Sequence, residues 1–255
     1  MKLKDKVIVI TGAAGNIGAA TARRCARDGG TAVLLDRDRD GIEALRAELA
    51  AGADTSHGKH VAMTLDVTDP AQVREVLGRV RQQCGPIDVL FANAGIEGEN
   101  AVLEDYPDEA FEQVMKVNVT GVFYTMKYGE PLMPDGGSIV ITSSVAGFTG
   151  STMSIGYSAS KHAVIGIMRS GAKHYGRRGI RVNTIHPGMV KSAMLARILD
   201  ARGGATTLEN IMAGIPLKQY LLPDHIADTV AYLASDDSRM VTGQTLVIDA
   251  GYMLK

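Results

Sequence analysis

Seven short runs rich in Val, Ile and Leu recur along the chain: Val7–Thr11, Thr31–Asp36, His60–Asp66, Asp88–Ala92, Ser138–Thr142, Arg181–His186 and Thr245–Asp249. Each has the length of a strand buried in a sheet. Longer amphipathic stretches at Ile17–Asp28, Asp40–Ala51, Ala71–Cys84, Asp108–Lys127, Tyr157–Tyr175 and Asp224–Ala234 read as helices. Asp69-Pro70 supplies a start signal for one of them, with proline at the first helical position. Strands alternating with helices in this way predict an α/β fold with a parallel sheet covered on both faces. One stretch departs from the rhythm. Residues 189–222 carry Gly203-Gly204, Pro216 and many apolar residues but no strand, and read as one long insertion in a single domain spanning 1–255.

Composition narrows the class. In 255 residues, 27 Lys and Arg balance 28 Asp and Glu, so neither a basic nucleic-acid footprint nor an acidic tail is present. The apolar run after the charged start ends at Gly12 and is too short for a secretory signal. No other stretch approaches the roughly 18 apolar residues of a membrane span. Cys25 and Cys84 are too few and too far apart for a disulfide scaffold or a metal site. His57 and His60 lie in a loop-like segment and do not make one either. A cytoplasmic protein with no nucleic-acid or membrane partner and no metal is expected.

The chemistry begins where the first run meets Thr11-Gly12-Ala13-Ala14-Gly15-Asn16-Ile17-Gly18. Glycines there let the backbone turn sharply and approach a pyrophosphate, while the helix that follows offers free N–H groups and a positive dipole end. Asp36 closes the second run, 18 residues past Gly18. An acid in that place accepts the ribose hydroxyls of NAD and repels the 2′-phosphate of NADP. Arg37 beside it would attract that phosphate. The absence of a basic residue within the glycine turn favours NAD over NADP.

Further along stands Tyr157-Ser158-Ala159-Ser160-Lys161, whose phenol and amine share one helical face. Ser144 precedes Tyr157 by 13 residues, and Asn118 sits in Val117-Asn118-Val119-Thr120-Gly121. Together with Thr11–Gly18, Asn93-Ala94-Gly95 and Pro187-Gly188, these motifs resemble the short-chain dehydrogenase/reductase family, in its compact branch, over essentially the whole chain. The resemblance implies a Rossmann fold whose seven-stranded sheet has the order 3-2-1-4-5-6-7. It implies Tyr157 as general acid/base, Lys161 as its electrostatic partner and ribose ligand, Ser144 as the anchor of the substrate oxygen, and Asn118 as support for a proton relay through a helix kink. Spacing favours Ser144 over Ser143. A free phenol has a pKa of about 10, so a nearby ammonium and the positive nicotinamide are expected to bring it toward neutrality.

Cofactor contacts implied by the same likeness are Gly12, Gly15, Asn16, Ile17, Gly18, Asp36, Arg37, Asp66, Val67, Asn93, Ala94, Gly95, Tyr157, Lys161, Pro187, Gly188, Val190 and Ser192. Asn16 stands where the family usually has a second glycine, which predicts either an asparagine with positive φ or a shifted backbone. Ala92 replaces an asparagine, and Ser192 a threonine. Met189, Met194 and Met212 read as pocket lining. Met194, Leu195, Ile198, Leu199, Ile211, Met212, Ile215, Leu217 and Leu221, with Arg197, Arg202 and Lys218 among them, predict a largely apolar cover over the substrate. His186 has no assigned role. The resulting expectation is an oxidoreductase moving a hydride between NAD and a secondary alcohol or ketone. An NADPH-dependent 3-oxoacyl reductase acting on carrier-protein or CoA thioesters is the second reading, and a catalytically idle nucleotide-binding protein the third. Gly166 and Gly171 in the Tyr157 helix, with the apolar C-terminus, point to a homotetramer of D2 symmetry.

Overall fold

The seven apolar runs lie side by side in one parallel sheet. The computed structural model describes residues 1–52, 59–201 and 212–254. In chain order the elements are β1 (Val7–Thr11), α1 (Asn16–Arg27), β2 (Thr31–Asp36), α2 (Arg39–Ala51), β3 (Val61–Thr64), α3 (Pro70–Cys84), β4 (Val89–Ala92), α4 (Asp108–Met115) and α5 (Gly121–Gly129). There follow β5 (Ser138–Thr142), α6 (Ile155–Tyr175), β6 (Arg181–Pro187), α7 (Ala193–Ala201), α8 (Pro223–Ala234) and β7 (Thr245–Ile248). The strand order is β3-β2-β1-β4-β5-β6-β7, with Val9 opposite Val33 on one side and Leu90 on the other.

Continuous apolar strands need cover on both faces, and the helices provide it. On one face Val9, Val33, Leu90 and Ile139 pack against Val73 and Leu77 of α3, Met126 of α5 and Met168 of α6. On the other, Ile8, Ile10, Leu34 and Phe91 pack against Cys25 of α1, Leu45 of α2 and Val230 of α8. The caps follow the sequence signals. Asp69 accepts hydrogen bonds from the Ala71 and Gln72 amides, Pro70 opens α3, and Gly85 closes it at φ 91°. Asp38 caps α2 through the Gly41 amide.

Three boundaries differ from expectation for physical reasons. The third strand covers Val61–Thr64 only, because Asp66 is taken into a turn, accepting from both the amide and the hydroxyl of Thr68 at 2.8 Å. At its other end His60 turns its Nδ1 to accept from the Ala32 amide at 3.1 Å. The 108–127 stretch is two helices, not one, because a single π-helical turn at Lys116–Thr120 interrupts it. Such turns are uncommon and concentrate at functional sites. The seventh strand, read to Asp249, ends at Ile248 because the Asp249 carboxylate turns back to accept from the Gly251 and Met253 amides, and Val247, 44% exposed, marks an open sheet edge.

The 189–222 insertion leaves and returns at adjacent points. Val190 forms an isolated parallel bridge with Leu221, and α7 occupies the outgoing part. Ile215 and Leu221 turn into the core, whereas Leu217 and Lys218 face solvent, so these four do not belong to the substrate cover. His57, Arg202, Gly203-Gly204, Ile211 and the side chain of Ile198 lie outside the described residues.

Candidate active site

At the carboxyl ends of β1, β4, β5 and β6 the loops enclose a cleft of about 990 Å³. Its floor is the glycine turn. Gly12 sits at φ 67°, and a Cβ there would come within 2.8 Å of Ala94 Cα. Only glycine combines that φ with so close a backbone neighbour. Gly18 is buried and does not line the cleft. A Cβ on it would stand 2.8 Å from Ala13 Cα, so its role is to let α1 lie against the turn. Asn16 is the first residue of α1 and is not among the positive-φ positions, so the missing family glycine demands no strained asparagine. No side chain caps α1, and its first amides, with Gly15, Asn16 and Ile17, face the cleft.

The turn is held by Asn93. Its amide group donates to the carbonyls of Thr11 (3.1 Å) and Gly12 (3.2 Å), and its carbonyl accepts from the Thr142 hydroxyl at 3.0 Å. The Asn93 side chain therefore braces the floor, while Ala94 and Gly95 form the adjoining wall. Asp36 reaches the turn from β2, its carboxylate accepting from the Ala14 amide at 3.0 Å and the Asp38 amide at 3.1 Å. Arg37, Asp66 and Val67 lie along the same end of the cleft. Hydrogen bonds from Thr68 hold the Asp66 carboxyl below the usual range, against a smaller cost of burial.

At the other end Tyr157, Lys161 and Ser144 meet. Lys161 projects from α6 to donate to the Thr142 carbonyl at 2.9 Å, and its Nζ lies 5.4 Å from the centre of the Tyr157 ring. Ser144 stands beside the phenol and acts to lower its pKa, its hydroxyl meeting the Pro187 carbonyl at 3.5 Å, whereas Ser143 is turned inward and donates to the Lys161 carbonyl at 2.8 Å. Burial pushes the Lys161 amine down to about 8. Burial also raises the Tyr157 phenol, Ser144 partly offsets that, and Glu97 reinforces it. The chain's own charges thus do not lower the phenol, contrary to what the lysine alone suggests, because both groups sit in a desolvated pocket. Asn118 stands behind, in the π-helical turn. It accepts from the Ile96 amide (2.8 Å) and donates to the Ile96 carbonyl (2.9 Å) and the Ser160 hydroxyl (3.0 Å).

The far wall is made by Pro187, Gly188 and Met189, with Val190 and Ser192 next to them. The bridge to Leu221 uses the Met189 carbonyl and the Lys191 amide. The backbone N–H and C=O of Val190 therefore point the other way, toward the cleft. Ser192 also caps α7, accepting from the Leu195 amide at 3.2 Å. Met194, Leu195 and Arg197 of α7 face the cleft together with Met153; Met212 does not line it.

Two features escaped the sequence reading. His186 is fully buried, its Nδ1 2.8 Å from the Ser144 carbonyl, its Nε2 2.9 Å from the Thr184 hydroxyl and its ring stacked on Phe148 at 4.3 Å. The i, i+2 spacing of Thr184 and His186 in a strand was the available signal, since it puts both on one face. Arg197 forms a two-pronged ion pair with Glu97 at 2.5 and 2.9 Å, joining residues 100 positions apart. No local sequence pattern announces that pairing.

The comparisons agree with this geometry. Residues 12–253 match the family described as "Enoyl-(Acyl carrier protein) reductase". The chain is 37% identical to a 3-oxoacyl-[acyl-carrier-protein] reductase of Thermotoga maritima, with 100% of both chains covered. It is 36% identical to levodione reductase of Leifsonia aquatica, covering 98% of this chain and 95% of that one. Cyclohexanol dehydrogenase of an Acinetobacter species is 33% identical, with 100% and 97% covered. A levodione reductase crystal structure superposes with a TM-score of 0.93 at 34% identity, covering 98% of each chain. A blue fluorescent protein from a metagenomic library, in complex with NADPH, superposes with a TM-score of 0.88 at 34% identity, covering 99% of each. The chain belongs to the short-chain dehydrogenase/reductase family. It is an NAD(P)-dependent oxidoreductase of alcohol and carbonyl groups.

Proposed function

We propose that the protein is an NAD-dependent dehydrogenase of a secondary alcohol with an apolar side, working as a single catalytic domain. The observation that carries the reading is the meeting of Tyr157, Ser144 and Lys161 in the cleft whose other end holds the glycine turn and Asp36. The residues fit the dinucleotide. Amides of the uncapped α1 end and the close backbone at Gly12 suit the diphosphate, with Gly15, Asn16 and Ile17 beside them. Asp36 suits the adenosine ribose, Asp66 and Val67 the adenine, and Val190 and Ser192 the nicotinamide side. When bound, the nicotinamide takes or gives the hydride, and its positive charge in NAD⁺ stabilises the phenolate. Tyr157 moves the proton at its phenol oxygen to or from the substrate oxygen, which the Ser144 hydroxyl holds in place. Lys161, still mostly an ammonium at neutral pH, offers its remaining donors to the nicotinamide ribose. Asn118 acts from behind, fixing Ile96 and Ser160 and through them the wall beside Lys161. The apolar side chains of Met153, Met189, Met194 and Leu195 suit a hydrocarbon face of the substrate.

One observation favours a second reading. Arg37 lines the adenosine end, and the Thermotoga relative is a 3-oxoacyl reductase. An NADPH-dependent reductase of thioester-bound ketones is that alternative. Titration with NADH and NADPH, followed by nicotinamide fluorescence, separates the two. A tenfold preference for NADH, about 1.4 kcal/mol, supports Asp36 as the ribose anchor. The reverse preference hands the site to Arg37. Tyr157→Phe should lower turnover by about 10² to 10⁴-fold while leaving NADH affinity within about threefold. Turnover near that of the unmodified enzyme would remove Tyr157 as the acid/base.

We place the enzyme in the cytoplasm, where two free cysteines are stable, and assemble it as a D2 homotetramer. Phe123 of α5 (46% exposed) and Val247 of β7 (44% exposed) offer two separate apolar faces. Gly166 is open on α6, whereas Gly171 is occupied within the chain by Met126. Sedimentation as a monomer at micromolar concentration would exclude the tetramer.

A further inference from the structure

The ion pair between Glu97 and Arg197 stands at the end of the cleft beside Tyr157, and neither residue is among those proposed to move the hydride or the proton. Arg197 lines the cleft and its side chain is 60% exposed, whereas the Glu97 side chain is only 17% exposed. The segment bearing Glu97 is fixed beside Tyr157. The Tyr106 hydroxyl accepts from the Glu99 amide at 3.2 Å, and a Cβ on Gly156, the residue before Tyr157, would come 2.9 Å from that same hydroxyl. The Glu97 carboxylate is near enough to disfavour the Tyr157 phenolate. Two parallel N–H···O bonds use one edge of the guanidinium and both carboxylate oxygens.

On the reading of this cleft as an alcohol dehydrogenase site, we propose that Glu97, held by Arg197, makes the enzyme select uncharged alcohols and ketones over carboxylated ones. A substrate carboxylate has two ways to approach. If it leaves the pair intact, a second negative charge enters the cleft next to Glu97, which stands just behind the wall at Ile96 and Arg197. Alternatively it displaces Glu97 from Arg197, gaining one two-pronged pair only by breaking another and still leaving the Glu97 charge beside its own. An uncharged ring meets neither penalty, and its hydrocarbon contacts with Met194 and Leu195 are unaffected. The pair thus holds a cation at the cleft mouth while denying it to acidic substrates.

Cyclohexanol and trans-4-hydroxycyclohexanecarboxylate differ by one carboxylate group and suit the test, the Glu97 and Arg197 variants separating its charge from its bulk. The unmodified enzyme should prefer cyclohexanol by at least tenfold in kcat/KM. Glu97→Gln should raise kcat/KM for the carboxylate about tenfold or more and leave cyclohexanol within about threefold. Glu97→Gln combined with Arg197→Gln should lose the gain, since no cation then remains to meet the carboxylate. Calorimetry on the NAD⁺-loaded protein with cyclohexanone and 4-oxocyclohexanecarboxylate should show the same ratios in Kd. An unmoved ratio in Glu97→Gln, an equal loss on both compounds, or failure of both ketones to bind overturns the proposal. Shifted Kd ratios without any turnover would leave the selectivity assignment standing and sink the dehydrogenase reading. Turnover with an unmoved ratio would do the opposite.

Discussion

The two ends of the cleft are built differently. At the glycine-turn end, the wall is backbone or side chains tied to backbone: Gly12 against Ala94, Asn93 across Thr11, Gly12 and Thr142, Asp36 on Ala14. These groups grow out of adjacent strand ends, and the sheet fixes their spacing. At the substrate end, Met194, Leu195 and Arg197 stand on a helix set on the insertion, and the contact joining that helix to the segment after β4 is an ion pair of exposed Arg197. On the proposed reading, tethering therefore falls along the cleft, from the part that would hold the dinucleotide to the part that would meet a particular substrate. The difference teaches where tolerance to mutation should lie.

The sharpest way to break that contrast is Gly18→Ala. Its Cβ would meet the backbone of Gly12 and Ala13, which cannot move without moving β1. A loss of about 4 kcal/mol of stability, together with loss of NADH binding, is expected in denaturant titration. A milder change would show that the cofactor end is as pliant as the other.

Acid probes the junction between the two ends. Burial holds His186 down to about 4, against 6.5 when free, aided by the nearby charges of Lys161 and His162 and opposed by its bond to Ser144. The unfolded chain then binds a proton that the folded chain refuses. Stability from this group is intact above about pH 6.5 and drains away as pH falls toward 4, by up to about 3 kcal/mol. His186→Asn should flatten that part of the pH dependence. Equal slopes in both proteins would mean the histidine takes up its proton in place.

Asp36→Asn should cost NADH about tenfold in affinity and narrow the gap to NADPH, because a carboxylate accepts from ribose hydroxyls more strongly than an amide. The smallest effect should come from Arg197→Ala. An ion pair this exposed contributes less than about 1 kcal/mol, so the melting temperature should barely change. A large drop would show the substrate end to be structural after all.

How much of this was legible in the chain follows the same gradient. The strands rest on a local signal, their apolar runs, whereas the sheet order and the proposed cofactor contacts come with the family that the glycine turn, the acid at a strand end and the tyrosine–lysine pair resemble. The Ser143 hydroxyl is committed to the Lys161 carbonyl, which leaves Ser144, the residue that spacing favours, as the proposed anchor. The break at Lys116–Thr120 was hidden because a π turn adds one residue to an otherwise helical pattern without altering its composition. Of the two readings open at Asn16, the positive φ is not the one found, because a residue missing from a motif says nothing of the φ its neighbours impose. Ile215 and Leu221 were counted as substrate cover, since apolar residues in an insertion do not reveal which way they turn. Glu97 and Arg197 meet across 100 residues, a distance no periodicity spans.

The bridge between Val190 and Leu221 has a consequence for how such a protein could diversify. It ties the start of the insertion to its end, so the sheet sees the same two anchored residues whatever runs between them. Lengthening a tethered loop is entropically cheap, each doubling adding only about 0.6 kcal/mol. The part of the insertion between Ser192 and Ile215 is thus an exchangeable cassette, those two residues being kept. A foreign segment grafted there could rewrite what the enzyme recognises while the scaffold that performs the chemistry stays unchanged.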